Sequence, residues 1–377
     1  MILGDVFARQ ITGEWGNECT DTGKGVKVLR TTNFTPTGNI NYNNVVIRNI
    51  PKQKIKVKRL RYGDIILEKS GGTEKTPVGR VVFCGKEIEN ATYLCNNFTQ
   101  AMRVNPEIAE AKYVFYYMWY LHSSGKTELL QNKTTGIRNL KVKSYLEYKI
   151  PLPAIEEQRR IAAVLDKVTD LIAKRQAQLD KLDELVKSRF VEMFGDPIVN
   201  SKSLSTAELG KICHLKAGTT TSAEEIHTKS TEFHIPCYGG NGIRGYVKTA
   251  TQCGTYPIIG RQGALCGNVQ FATGAFHATE HAILVTPIVK ANKVWLYYLL
   301  KFMDLYRFHT GAAQPGLTVK TLNTVSVPIC DIVYQDEFAD YAQKVYSRSK
   351  KLQRSLENMN SLKRSLIQLY FCTEEKQ

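Results

Sequence analysis

The sequence contains no run of 18 apolar residues, and its first residues, Met1-Ile-Leu-Gly-Asp-Val-Phe7, carry neither a basic leader nor a long apolar stretch. A membrane span and a secretory signal are therefore not expected, and the cytoplasm is the expected compartment. The 9 cysteines (19, 84, 95, 213, 237, 253, 266, 330 and 372) are odd in number, with no two closer than 11 positions. That spacing suits neither a disulfide framework nor the close pairs of a zinc site, so they read as reduced, mostly buried thiols. The usual catalytic signatures are also missing. There is no Gly-x-Ser-x-Gly elbow and no Asn-Pro-Pro-aromatic tetrad, the nearest fragment being Asn105-Pro106-Glu107. Gly125-Lys126-Thr127 ends like a phosphate-binding loop, but the glycine that loop requires at position 120 is Tyr. His277-Ala-Thr-Glu280-His281 matches a zinc-peptidase pattern that works only on a helix, where two imidazoles four apart converge on one metal. Here Thr273-Gly274 precedes it and Ile283-Leu284-Val285 follows, a turn-to-strand context that points neighbouring side chains to opposite faces.

Glycine and proline are also absent across residues 154–194, until Gly195-Asp196-Pro197. Forty helical residues span roughly 60 Å. Leu165, Ile172, Leu179, Val186 and Met193 recur every seven, with Ile161, Val168 and Leu182 on a neighbouring row that Arg175 and Arg189 interrupt. This predicts a coiled-coil helix that stops at the glycine. Shifting the chain by 177 residues lays this stretch on a second one without a gap, from Val142-Lys143 on Val319-Lys320 to Phe194 on Phe371. The identities include Pro151/Pro328, Gln158/Gln335, Ala162/Ala339, Lys167/Lys344, Val168/Val345, Lys174/Lys351, Gln176/Gln353, Leu179/Leu356, Leu185/Leu362 and Ser188/Ser365. One element has been built twice. Its copy shows Phe338, Val345, Leu352, Met359 and Leu366 at the seven-residue step. About 140 residues separate the two helices, which excludes a helical hairpin.

Net charge is +16, with 51 Lys and Arg against 35 Asp and Glu. Residues 1–153 carry 23 basic against 13 acidic side chains and 195–330 carry 12 against 7, whereas 154–194 has 8 of each and 331–377 has 8 against 7. The excess that would attract a polyanion thus lies outside the repeated helices. Each basic segment mixes strands (Val45-Val46-Ile47, Gly63–Leu67, Val81–Phe83, then Tyr256–Ile259 and Ala282–Val285) with one aromatic helix, Ala111–Leu121 or Lys293–Phe302, in which Tyr116-Tyr117 corresponds to Tyr297-Tyr298. Leu3-Gly4-Asp5-Val6 is echoed by Leu209-Gly210-Lys211-Ile212. Glycine-rich loops with basic and amide side chains stand at Glu68–Thr73, Pro77–Arg80, Pro236–Gly245 and Gly260–Gly267. Such loops let arginine or amide side chains approach phosphates and base edges. On that chemistry, Arg30, Asn33, Lys69, Ser70, Arg80 and Arg138 in the first segment, and Tyr238, Asn241, Arg244, Arg261 and Gln262 in the second, are expected near DNA.

These features together resemble the specificity (S) subunit of type I restriction-modification systems, the HsdS family. The carrying residues are Ile150-Pro-Leu-Pro-Ala-Ile-Glu-Glu157-Gln158-Arg-Arg-Ile161 and Glu192-Met-Phe-Gly195-Asp196, with Gly63-Asp64, Tyr238-Gly-Gly-Asn-Gly242, Gln314-Pro315-Gly316-Leu317 and Val327-Pro328. The copy departs in Pro328-Ile-Cys330-Asp-Ile-Val-Tyr-Gln335, which lacks the second proline and the Glu-Gln pair. The resemblance implies an α+β chain: target recognition domains at 1–153 and 196–330, separated by long antiparallel spacer helices at 154–195 and 331–373 that form a coiled coil with a pseudo-twofold repeat. It implies a DNA-recognition subunit without an active site or metal of its own, reading an asymmetric bipartite target. Two methyltransferase subunits, which bring S-adenosylmethionine, would dock on it, and restriction-translocase subunits would join them. Partner contacts are assigned to Gln158, Ile161 and Leu165 and, in the copy, to Gln335 and Phe338. The competing reading is a coiled-coil scaffold whose basic domains bind nucleic acid or acidic proteins.

Overall fold

The computed structural model describes residues 1–19, 25–73, 76–132, 137–228, 230, 234–311 and 315–372. The helix-favouring stretches are helical from Ile155–Phe194 and from Ile332–Phe371, 40 residues each. Both ends of the second lie 177 residues beyond those of the first, so the sequence repeat is a structural one. The first stops as expected: Gly195 adopts a left-handed φ of +78°, its N–H bonds the Val191 carbonyl at 2.8 Å, and Lys202 Nζ donates to the Glu192 and Met193 carbonyls. No helix among the described residues is long and apolar enough to cross a membrane.

The chain forms two compact units, Met1–Gln176 with Arg354–Gln377, and Ala177–Gln353. Each long helix therefore contributes one half to each unit, where the sequence suggested separate spacer segments. In the first unit a four-stranded antiparallel sheet runs in the order Phe7–Thr12, Thr99–Val104, Ile65–Glu68, Val81–Phe83. The aromatic helix Ala111–Ser123 packs with it in one core that contains Ile65, Leu67, Met102, Tyr113, Val114, Tyr117 and Met118. Ile161 and Leu165 of the first long helix and Ile367 and Phe371 of the second enter the same core. Phe371 stands 5.1 Å from the ring of Tyr113 and 5.8 Å from that of Tyr117. A second sheet of four strands, Asn17–Glu18, Val46–Asn49, Val26–Leu29 and Tyr93–Cys95, ends in a parallel pair. In the second unit six strands run in the order Cys213–Ala217, Ala282–Pro287, Gln252–Gly260, Val269–Ala278, Ile235–Gly239, Gly242–Val247. The aromatic helix Lys293–Phe302 joins Val186, Phe190, Phe194, Phe338, Ala342 and Val345 in its core. Phe190 and Phe338 meet edge to face at 5.3 Å. In each unit the early half of one long helix packs with the late half of the other, so the two run antiparallel.

The repeat extends to individual hydrogen bonds. Gln158 accepts from the Glu110 N–H at 3.0 Å through Oε1 and donates from Nε2 to the Pro153 carbonyl at 2.9 Å. Gln335 accepts from the Asn292 N–H at 2.9 Å and donates to the Cys330 carbonyl at 2.9 Å. Each buried amide thus ties the start of a long helix to the start of its aromatic helix, and Cys330 serves as acceptor as well as Pro153 does. Likewise the Leu3 N–H bonds the Tyr148 carbonyl at 2.7 Å and the Leu209 N–H that of Val325 at 2.8 Å. The seam of the second helix differs from its expected row. Phe338 and Val345 are buried, but beyond them the buried positions are Leu356, Lys363 and Ile367, while Leu352, Met359 and Leu366 are half-buried.

Gln158→Ala and Gln335→Ala each leave a part-buried N–H and carbonyl without their side-chain partner, so each is expected to lower unfolding free energy by about 1 kcal/mol in urea titration. Burial pushes the Lys363 ammonium down to about 8 from its ordinary 10.5, against the opposing pull of Asp166. The unfolded chain then binds more protons than the folded one between those values, so stability should rise as pH increases from about 8 to 10.5. Thermal melts across that window check this, and Lys363→Met should flatten the rise.

Candidate nucleic-acid interface

In the second unit, a cleft of about 480 Å³ lies between two glycine-rich loops and is lined by Asn241, Arg244, Gln262, Ala264, Leu265 and His281. The first loop is the turn of the hairpin Ile235–Gly239/Gly242–Val247, with Gly242 at φ +97°. The second follows the strand Gln252–Gly260 and turns through Gly263 at φ +85°, its N–H bonded to the Pro315 carbonyl. The two loops touch backbone to backbone: a Cβ on Gly260 would sit 2.0 Å from the Gly240 carbonyl oxygen. Glycine at 260 is what lets them converge. Arg244 and Gln262 are exposed. Asn241 is exposed and its side-chain oxygen accepts from Asn268 Nδ2. Three of the five expected residues thus line one cleft.

Arg261 is half-buried and ties the loop down through its backbone, its N–H bonding the His281 carbonyl at 2.9 Å and its carbonyl accepting from Leu317 at 2.8 Å. Tyr238 packs edge-on against Phe276 at 5.5 Å, and burial pushes its phenol up from the ordinary range. It behaves as a wall of the core beneath the cleft. Of the quoted motif Gln314–Leu317, Gln314 lies outside the described residues. His277 ends the strand Val269–Ala278 and is buried against Thr221, with 2.7 Å between Nε2 and Oγ1, whereas His281 sits in the following turn, 3.1 Å from Glu280. The two histidines thus lie on a strand and in a turn, and not on one helix. Among the described residues no group of His, Cys, Asp or Glu could hold a metal ion.

In the first unit Lys69, Ser70 and Arg138 come together on a three-stranded ribbon, Gln131–Asn132, Arg138–Leu140 and Ser70–Gly72, in which Arg138 pairs with Gly72 and Asn139 with Ser70. Arg80 is committed elsewhere. It forms a bidentate pair with buried Glu68 at 2.8 and 2.7 Å, lies 5.7 Å from the Phe34 ring, and has its guanidinium pKa raised by that carboxylate. Arg30 is half-buried and donates to the Asn44 carbonyl at 3.4 Å.

Two expectations are corrected by burial. Asn33 is buried, donates to the Asn41 and Asn43 carbonyls at 3.0 and 3.3 Å, and accepts from the Arg30 N–H at 2.9 Å; it shapes its loop and presents no edge to a ligand. Gln158, Ile161, Leu165, Gln335 and Phe338 are all at most 5% exposed and lie in the chain's own cores, so their side chains are not available to a partner. Heptad spacing marks a buried seam without saying whose surface fills it. Sequence reasoning also passed over Lys52–Lys58, whose alternating lysines were visible as Lys-Gln-Lys-Ile-Lys-Val-Lys. They form a short helix on which Lys54 and Lys58 pair with Glu14 while Lys52 and Lys56 are exposed.

The family model for the type I restriction modification DNA specificity domain matches residues 3–183 and 202–358. A specificity subunit of the type I restriction enzyme EcoprrI from Escherichia coli is 32% identical over 240 residues, 60% of this chain and 58% of the relative. That match thus spans under two thirds of the relative's length. The MjaVIII specificity subunit of Methanocaldococcus jannaschii is 32% identical over 106 residues, 28% of this chain and 24% of that protein. Among solved structures, the type I restriction-modification S subunit from M. genitalium covers 98% of this chain and 95% of its own at 15% identity, with a TM-score of 0.63. Both matched stretches coincide with a globular segment and the adjoining part of a long helix, and the chain belongs to the type I restriction-modification specificity family.

Proposed function

We propose that the chain is the DNA-reading, non-catalytic subunit of a type I methyltransferase and endonuclease complex, binding an asymmetric bipartite duplex target. The observation that carries this reading is the pairing of a duplicated frame with unlike basic segments. The second segment holds Asn241, Arg244 and Gln262 around one cleft, whereas the first gathers Lys69, Ser70 and Arg138 on a ribbon. Arginine and amide side chains are the groups that read guanine and adenine edges, and two different sets imply two different half-sites. Lysines such as Lys52 and Lys56 suit phosphate contacts that fix register without reading sequence.

The partner reading rests on the outer faces of the long helices. Repeat identities at buried positions follow from the cores, but Lys167/Lys344, Lys174/Lys351, Leu185/Leu362 and Ser188/Ser365 are exposed in both copies. Leu185 and Leu362 are 47% and 51% exposed. Packing within the chain gives no reason to preserve these pairs, whereas two copies of one partner would. The partners are taken to be two methyltransferase subunits, which supply S-adenosylmethionine, with restriction-translocase subunits joining them. A surface that meets the same partner twice favours this reading over a scaffold for unlike proteins.

In a complex reconstituted with its methyltransferase subunit, Arg244→Ala is expected to cost about 1–3 kcal/mol on the preferred target and relax one base position, whereas Lys56→Ala should weaken all sequences alike and lower the salt slope by about 1. Fluorescence anisotropy over a salt series, with sequencing of methylated sites, measures both. Unchanged affinity and specificity in Arg244→Ala and Gln262→Ala would remove the second cleft from the interface. Leu185→Lys and Leu362→Lys, placed at exposed sites, should leave circular dichroism unchanged and each reduce methyltransferase co-purification by about tenfold.

A further inference from the structure

Lys363 stands in the apolar seam of the second long helix, at the position where the first copy has the buried Val186. It is 5% exposed and forms no ion pair or hydrogen bond among the described residues. Its ammonium rests over two rings of the aromatic helix, 4.7 Å from the Trp119 centroid and 5.9 Å from that of Tyr116. The carboxylate nearest in effect, Asp166, is already engaged by Lys112 at 2.9 Å and by the Tyr116 hydroxyl at 2.6 Å. A cation taken out of water costs far more than a ring face returns unless an anion accompanies it. An apolar side chain at this position, like the valine of the other copy, would avoid that cost.

Beside Lys363 the first unit opens a cavity of about 230 Å³, lined by Pro36, Thr37, Trp119, Ile172, Asn360, Lys363 and Arg364. One wall is apolar, made by Trp119, Ile172 and Pro36. The other carries two cationic side chains on adjacent positions of one helix, Lys363 buried and Arg364 exposed. Thr37 and Asn360 complete the lining with neutral polar groups, and no acidic side chain takes part. The volume falls below the roughly 300–1,000 Å³ of pockets for drug-sized ligands and suits a group the size of a side chain.

We propose that this cavity is a binding site for a carboxylate on a short apolar or aromatic stem, the carboxylate pairing with Lys363 and the stem lying against Trp119 and Ile172. The site belongs to the first unit alone and shares no lining residue with those assigned to DNA or to the methyltransferase, although Leu362 and Ser365 of the proposed methyltransferase face flank Lys363 and Arg364 on the same helix. Pairing would also hold Lys363 protonated, since a nearby anion opposes the desolvation that now disfavours its charge.

The test uses the full chain with benzoate as probe and benzamide as its neutral isostere. Calorimetry is expected to give saturable benzoate binding in about the millimolar range, no detectable binding of benzamide, and at least about tenfold weaker benzoate binding by Lys363→Met. Competitive acetylation read by mass spectrometry follows Lys363 in the unmutated protein: benzoate should slow its labelling several-fold at pH 8 and leave exposed Lys174 unchanged. Equal binding of benzamide, undiminished binding by Lys363→Met, or unprotected labelling of Lys363 overturns the proposal. If Lys363→Met does not fold, the labelling result alone decides. N-acetylglutamate amide in a parallel titration separates the sources of the carboxylate: tighter binding than benzoate assigns the cavity to a protein side chain, weaker binding to a free aromatic acid.

Discussion

A helix of forty residues with balanced charges keeps its apolar row only if that row is covered along its length. In this chain the cover comes from two sources in each unit, an aromatic helix laid against the sheet and one half of the other long helix. Phe190, Phe194 and Phe338 close one such contact, and Ile161, Leu165, Ile367 and Phe371 close the other. The buried glutamines fix the angle of entry, because each amide satisfies one backbone group on either side of the junction. The six-stranded sheet that carries the second cleft shares its core with one of these junctions, and the four-stranded sheet of the first unit shares its core with the other. Precision at the loops is therefore inherited from the seam.

Much of this frame could be read from the residues. The absence of glycine and proline set the helix limits to within two positions, and the 177-residue register located the second helix from the first. Gly195 marked the stop because its conformation is one that few other residues adopt without strain. What could not be read was ownership of the apolar row. Leu165 and Phe338 look alike whether they fill an internal core or a partner's groove, since periodicity records a buried face and not the identity of its neighbour. Asn33 failed for a related reason: an amide in a loop serves equally well to bond a base or to bond the loop's own carbonyls, and only the return of Asn41 and Asn43 to its side settles which.

The cleft of the second unit was partly legible. Loop chemistry points to Asn241, Arg244 and Gln262, but the reason they share one site is the backbone contact of Gly240 with Gly260, which joins loops about twenty residues apart. Sequence distance hides such contacts because β-sheet neighbours need not be chain neighbours. The same holds for Lys363, an ordinary lysine on a polar helix by sequence, whose unusual setting arises from Trp119, more than 240 residues earlier.

The first unit is discontinuous: its core combines the chain up to Gln176 with the stretch from Arg354 onward, while the second unit is one uninterrupted segment. During synthesis the ribosome completes residues 177–353 before it delivers Ile367 and Phe371 to the rings of Tyr113 and Tyr117. The stretch up to Gln176 is thus made well before the residues that complete its core, and the nascent aromatic helix stays incompletely covered until Ile367 and Phe371 arrive.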